Sequence, residues 1–380
     1  MIQSILDNDQ YKFTMQQAVL RLFPEATVSY KFKNRGNHKF PDGFDVSLLH
    51  ELTKLNKLKL TNDEKVFVSK IRYFTDSYVE YLSNYSFNPH EVSAYVLDNE
   101  LHVEIEGPWY TTILWEVPLM STISELYFKS SHTQDLDSIN EALFHKKTKL
   151  HATGLPYADF GTRRRYSLNV HDTFIKEVSK HYNFVGTSNL HLAHKYQIKP
   201  IGTQAHEWYM YHAAKYGPRV ANRIGLRNWQ KIYNGDLGIA LPDTYTTDVF
   251  LRHFDLLQAK SWDGVRHDSG DPIEFGEKII KHYNKLGIDP TTKTIVFSDS
   301  INSIEVMEKI RDVFNGRIKF SFGIGTWLTN DVGVLPLNMV IKLDSVFVDD
   351  WYPAVKLSDV DGKVTGATEE AELYRKLLRI

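Results

Sequence analysis

The segment Gly202-Thr203-Gln204-Ala205-His206-Glu207-Trp208 carries the residues for a nucleophilic imidazole. Thr203 reads as a helix N-cap, which puts His206 in the first turn. There the positive end of the helix dipole disfavours imidazolium, so the ring stays neutral and nucleophilic. Glu207 is placed to hold the ring tautomer through the other nitrogen. A single histidine is more often structural, so the reading needs support from other loops. Arg266-His267-Asp268-Ser269-Gly270-Asp271-Pro272 sets a cation beside two carboxylates. Arg266 suits a carboxylate ligand, and Asp268 suits sugar hydroxyls or hydrated magnesium. The plainer alternative has Asp268 or Ser269 capping a turn and Asp271 starting a helix. In Gly161-Thr162-Arg163-Arg164-Arg165, three arginines at a helix start oppose the macrodipole and imply a compensating anion. Consecutive helical residues point to different sides, so one or two of the three face that anion and the remainder make structural ion pairs. Gly323-Ile324-Gly325-Thr326 follows a β-like run and lets backbone N–H groups approach a phosphate, although alone it also describes a tight turn. His191 and His194 have no third ligand at convincing spacing for a metal.

These clusters need elements to hold them. From Tyr157 onward a unit recurs: a short apolar or β-branched run, a polar cluster, then an amphipathic helical stretch. Besides those above, the clusters include Gly186-Thr187-Ser188-Asn189, Pro242-Asp243-Thr244 and Ser298-Asp299-Ser300. Such alternation predicts parallel βαβ units, and so many of them predict a distorted α/β barrel whose strand-end loops bring the clusters to one mouth. Before it, residues 1–130 read as an N-terminal α+β domain with a linking helix. That domain has a helix over Gln10 to Phe23, a strand over Thr27 to Lys33, helical segments through Tyr85 and a strand over Leu101 to Ile105. A long helix, Trp109 to Ser130, would be kinked at Pro118. Residues 131–338 form the α/β barrel, opening on a helix over Leu136 to Leu150. Residues 339–380, with strand-like Val340–Leu343 and Ala354–Leu357 and a final helix, are expected to pack back on the N-terminal domain.

Composition narrows the chemistry. Of 380 residues 42% are hydrophobic, enough for a large and a smaller core. Lys plus Arg (45) nearly balance Asp plus Glu (47), so no basic footprint for nucleic acid or an anionic membrane exists and any anionic ligand must be caught locally. The absence of cysteine removes disulfides, thiolate nucleophiles and Cys-ligated metals. No signal-peptide pattern opens the chain and no apolar run reaches membrane-spanning length, so a soluble, cytoplasmic protein is expected.

Taken together and in order, the motifs resemble those of nicotinate phosphoribosyltransferases. The match begins at Leu6-Asp7-Asn8-Asp9-Gln10-Tyr11-Lys12-Phe13-Thr14-Met15 and runs through Gly107-Pro108-Trp109 and Leu114-Trp115-Glu116-Val117-Pro118. It continues with Asp159 to Arg165, Val185 to Asn189, Gly202 to Trp208, Arg266 to Pro272 and Ser321 to Thr326. The resemblance implies transfer of a phosphoribosyl group from phosphoribosyl pyrophosphate to nicotinate, forming nicotinate mononucleotide and pyrophosphate in NAD biosynthesis. It also implies ATP hydrolysis through a phosphohistidine at His206, Mg2+, and a homodimer with shared sites. Tyr11 would cross from the partner subunit to stack on the nicotinate ring opposite Phe160. Arg266 would bind the carboxylate. Arg163, Arg165, Gly323, Gly325 and Thr326 would bind phosphates. Asp243 and Asp268 would hold ribose hydroxyls or magnesium pyrophosphate, with Thr187, Ser188 and Asp299 lining the substrate. Two positions depart from the pattern: Trp327 stands where a basic residue is expected, and the loop after Leu241 reads Pro242-Asp243-Thr244-Tyr245.

Rival readings stay open at this point. Nicotinamide would need an acceptor for its amide, where Ser188 offers a hydroxyl, and quinolinate would need more clustered cations. Asp268 and Asp299 could form the carboxylate pair of a barrel glycosidase. A non-catalytic binding module would leave the polar loops without a task.

Overall fold

The computed structural model describes residues 1–131 and 136–380. It divides into two compact units. One holds Met1–Gly154, Ala158–Ile201 and Gly325–Lys342, the other Leu155–Tyr157, Gly202–Ile324 and Leu343–Ile380.

In the first unit, β1 (Thr27–Asn34), β2 (Val92–Leu97) and β3 (Glu100–Pro108) form antiparallel pairs, Thr27 facing Pro108 and Val92 facing Ile105. Leu101, Val103 and Ile105 are buried in alternation with more exposed neighbours, the period-two pattern of a one-sided sheet. Asp98 and Asn99, both at positive φ (52° and 60°), make the two-residue turn between β2 and β3, a backbone state that Asn and Asp tolerate. The helix Gln10–Leu22 is buried along nearly its whole length. Between Trp109 and Ser131 the expected single kinked helix is instead two helices, Trp109–Thr112 and Glu116–Ser131. Pro118 lies in the first turn of the second, where its missing N–H has no helical partner to lose, so it starts a helix and kinks none. The arginine segment also differs from expectation. Thr162–Arg164 is a single 3-10 turn, and the helix begins only at Leu168, capped by Ser167 Oγ accepting from Val170 N at 3.2 Å. Asp159 belongs to β4 (Tyr157–Asp159), a neighbour of β5 (Phe184–Thr187).

In the second unit β6 (Ile239–Ala240), β7 (Gly264–His267), β8 (Thr294–Phe297) and β9 (Lys319–Ile324) lie side by side in parallel. Every residue of β7 is buried, as parallel strands covered on both faces require. The mixed α/β class with parallel strands and strand-end polar loops is as the sequence implied. Gly264 faces Thr294, and a Cβ there would stand 1.8 Å from the Thr294 carbonyl oxygen. Gly264→Ala must therefore push two central strands apart, and we expect a loss of about 1–3 kcal/mol. Urea midpoints that match the parent would refute it.

The C-terminal part divides: Met339–Lys342 falls in the first unit, with the N-terminal strands, and Leu343–Ile380 in the second. β10 (Met339–Phe347) is shared between the units and pairs at its end with β11 (Trp351–Pro353), Ser345 facing Pro353. Residues 354–357 make only a bridge, Lys356 with Thr365. From Leu343 the chain belongs to the second unit because local bonds tie it there. Leu357 N bonds Thr244 O at 2.8 Å, Asp359 accepts from Thr247 N at 2.7 Å, and Arg252 bonds Leu378 O at 2.7 Å. Among the described residues no helix is long and apolar enough to cross a membrane.

Candidate active site

In the second unit His206 opens the helix His206–Tyr216 and is buried. Thr203 is not its cap: Ala205 occupies that position without a side-chain bond, and Thr203 Oγ1 accepts from Arg266 Nη1 at 3.1 Å. Among the described residues the ring has four polar neighbours. Nδ1 lies 3.1 Å from Thr244 Oγ1. Nε2 lies 2.9 Å from Asp268 Oδ2, 2.9 Å from Lys356 Nζ and 3.7 Å from Asp243 Oδ1. The residue on the Nδ1 side is Thr244, not Glu207, and its hydroxyl can donate or accept. Burial first, then the Lys356 ammonium, push the imidazole pKa down to about 4, against the pull of Asp243 and Asp268. Burial and a lysine thus both favour the neutral ring.

The carboxylates are held ionised. Burial raises the pKa of Asp268, but Arg266, His206 and Lys356 outweigh it and keep it well below the ordinary carboxylate range. Arg266 Nη2 donates to Asp268 Oδ1 at 2.6 Å while its Nε donates to Ser298 Oγ at 2.7 Å. Asp243 is likewise held low by Lys356 and His206 against burial. Its Oδ2 accepts from Ser269 Oγ at 2.7 Å and from Lys356 Nζ at 3.3 Å. Its Oδ1 is buried and accepts no hydrogen bond among the described residues. Asp299 pairs with Lys363, which also donates to the Asp268 carbonyl at 2.9 Å. Thus His206, Asp243, Asp268 and Arg266 converge as expected. Lys356, Lys363, Thr244 and Ser298 were missed. A lone lysine inside the apolar run Ala354-Val355-Lys356-Leu357 was the available signal for the first.

The first unit gathers another set. Arg165 is fully buried, and Nη1 and Nη2 donate to Asp7 at 2.7 and 2.8 Å. Its charge is met inside the protein, which corrects its reading as a phosphate ligand; it is the structural arginine of the three. Arg163 stays partly exposed, 3.4 Å from Glu116 and 3.9 Å from Asp9. Lys12 reaches the same Glu116 at 2.6 Å. Thr187 Oγ1 donates to Asp159 at 2.6 Å, a carboxylate also 2.7 Å from His171 Nε2. Ser188 Oγ donates to Asp9 Oδ1 at 2.7 Å, so an acid lines that position after all and the hydroxyl does not by itself select against an amide. Phe160 is half-buried, whereas Tyr11 is only 7% exposed within its own chain and is not the exposed aromatic expected. Burial also raises its hydroxyl pKa.

The glycine segment is divided. Gly323 lies within β9, in the second unit. In the first, Gly325 precedes the short helix Thr326–Thr329, and a Cβ on Gly161 would come 2.9 Å from the Gly325 carbonyl oxygen. The residue packed on Trp327 is Lys146, whose charge is met by Asp331 at 3.1 Å. Lys146 Nζ stands 5.6 Å over the Trp327 ring and donates to its carbonyl.

Comparison with known proteins identifies the family. The Nicotinate phosphoribosyltransferase (NAPRTase) family matches residues 155–378, and the N-terminal domain of the same family matches residues 6–124. A nicotinate phosphoribosyltransferase of Desulforapulum autotrophicum is 51% identical, covering 100% of this chain and 99% of its own. One from Chromohalobacter salexigens is 46% identical over the same shares. A crystal structure of nicotinate phosphoribosyltransferase from Porphyromonas gingivalis superposes with a TM-score of 0.97 at 41% identity, covering 100% of both chains. With both regions matched in order and relatives aligned over its whole length, the chain belongs to the nicotinate phosphoribosyltransferase family.

Proposed function

We propose that the chain transfers the phosphoribosyl group of phosphoribosyl pyrophosphate to nicotinate, driven by ATP through a phosphate carried on His206. The observation that carries this reading is a buried imidazole, kept neutral, whose Nε2 meets two ionised carboxylates and an ammonium. In the phosphorylation step an imidazole lone pair forms the N–P bond while the bridging oxygen of the γ-phosphoryl leaves with ADP. The Lys356 ammonium offsets the transferred charge. In the transfer step the bond from the anomeric carbon to pyrophosphate breaks and the pyridine nitrogen bonds that carbon. An ionised Asp268 stabilises the cation-like charge between. Hydrolysis of the phosphohistidine returns the enzyme to its first state.

Asp243 and Asp268 offer oxygen ligands that suit magnesium, and the unsatisfied Asp243 Oδ1 is the atom such an ion would complete. Bound there with phosphates, Mg2+ supplies charge neutralisation of the leaving pyrophosphate. A homodimer belongs to the same reading, resting on the resemblance, and sedimentation tests the assembly.

Arg266 remains the proposed partner of the nicotinate carboxylate, with Arg163 on a phosphate and Phe160 against the ring. A charge-assisted pair is worth about 1.5–3 kcal/mol. Arg266→Ala should therefore lower kcat/KM for nicotinate by about one to two powers of ten; parent-like nicotinate kinetics would remove the assignment. The glycosidase reading loses Asp268 as its acid, because that carboxyl is held ionised. Pyrophosphate release from phosphoribosyl pyrophosphate, measured with and without nicotinate and with and without ATP, tests the whole proposal. Release that ignores nicotinate would overturn it.

A further inference from the structure

Lys356 is the least expected member of the cluster. It is 4% exposed, its Nζ is 2.9 Å from His206 Nε2 and 3.3 Å from Asp243 Oδ2, and the strand bridge to Thr365 fixes its backbone. His206, Asp243 and Asp268 each present one ligand atom within 4.8 Å of the others, a spacing that would hold a metal ion. The ammonium therefore stands on atoms that a divalent cation would use. We propose that Lys356 is the resident counter-ion of this site and excludes free divalent cations, so that a divalent cation enters only together with a phosphate ligand that draws the ammonium away.

Charge balance supports the exclusion. The two carboxylates face two cations, Arg266 on Asp268 and Lys356 on Asp243. A dication added to this buried, balanced set leaves an uncompensated double positive charge, which a low-dielectric interior disfavours strongly. An incoming pyrophosphate group changes the sum. Its oxygens attract the ammonium, and the vacated carboxylate edge then faces the metal that the anion brings. Hydrogen bonding points the same way. Asp268 can only accept, so it requires a proton on Nε2, while Lys356 can only donate, so it requires a bare Nε2, yet both lie 2.9 Å from that atom. Removing the ammonium leaves the Asp268 bond without a competitor.

This inference rests on the reading that phosphate-bearing substrates meet the cluster, but its first test uses Mn2+ alone and no transfer reaction. Mn2+ binding to the full chain, followed by electron paramagnetic resonance, should be weak for the parent. It should tighten about tenfold or more in both Lys356→Met and Lys356→Gln, because a unit charge beside the site is gone. Lys356→Arg should stay weak. Pyrophosphate should tighten Mn2+ binding in the parent and have a smaller effect in Lys356→Gln. Tight Mn2+ binding by the parent without any anion would overturn the proposal. So would unchanged affinity in a Lys356→Gln protein whose melting temperature matches the parent. Should both neutral variants fail to fold, the parent carries the test alone, and absence of any pyrophosphate effect on Mn2+ affinity counts against it. Loss of transfer activity with these metal responses intact would instead count against the function proposed above.

Discussion

His206→Ala will abolish the acid-labile phosphoenzyme formed from γ-labelled ATP and with it the nicotinate-dependent hydrolysis of ATP, while slow transfer without ATP survives. The ribosyl step needs no protein nucleophile, because its bond breaking is driven by departure of pyrophosphate from a cation-like centre. On the proposed reading, phosphorylation acts on binding and ordering instead. Coupling between two bound states of this kind is typically worth about 5- to 150-fold, which is the loss expected for ATP-stimulated transfer at limiting phosphoribosyl pyrophosphate. The pH dependence follows from the buried ring. Labelling of the parent should stay level as pH falls through the ordinary imidazole range near 6.5 and decline only toward about 4, where the ring takes up its proton. For stability the sign is the reverse of a paired histidine. Its folded pKa lies below the unfolded one, so the site is neutral to stability above about 6.5 and destabilises as pH falls from there toward about 4. A label that persists in His206→Ala would place the nucleophile elsewhere.

Asp7→Asn should destabilise the chain by about 3–5 kcal/mol at neutral pH. Asp7 and Arg165 are both fully buried and joined by two short bonds, and Asn189 Nδ2 adds a third to Asp7 at 2.8 Å. Removing one charge leaves the guanidinium buried without its counter-ion, which costs far more than the pair itself contributes. Burial pushes the Asp7 pKa up, but Arg165 and Asn189 outweigh it and bring it to about 2 from 3.8. A depressed carboxylate contributes stability above its unfolded pKa and loses it as pH falls through the folded one. The pair should therefore supply about 2 kcal/mol at neutral pH, lost between about pH 4 and 2. Urea unfolding of parent and variant across that window checks both statements. Asp7→Leu combined with Arg165→Met should recover much of the loss, since a packed apolar pair of similar volume escapes the desolvation penalty. A variant within about 1 kcal/mol of the parent would show that the pair is not held as described.

Local order explains what was legible beforehand. The strand, polar loop and helix succession after Tyr157 places His206, Asp243, Arg266, Asp268 and Asp299 near strand ends or helix starts, because side chains at those positions follow from the short-range period of the backbone. The antiparallel strands of the N-terminal part were readable for the same reason, from alternation and a two-residue turn. Partner choice over long separations was not. Arg165 looked like a phosphate ligand because its neighbours in sequence are arginines, yet its counter-ion is Asp7, 158 positions away. Glu207 adjoins His206 in sequence, but successive residues of a helix point apart, and Thr244 lies on the ring instead. Lys356 comes from a segment that reads as a plain apolar strand and lies 150 positions from His206. Composition and period determined the class of fold and which loops carry polar groups. Only the tertiary structure decided which charges meet, because burial turns each unpaired charge into a cost of several kcal/mol and so selects its partner from anywhere in the chain.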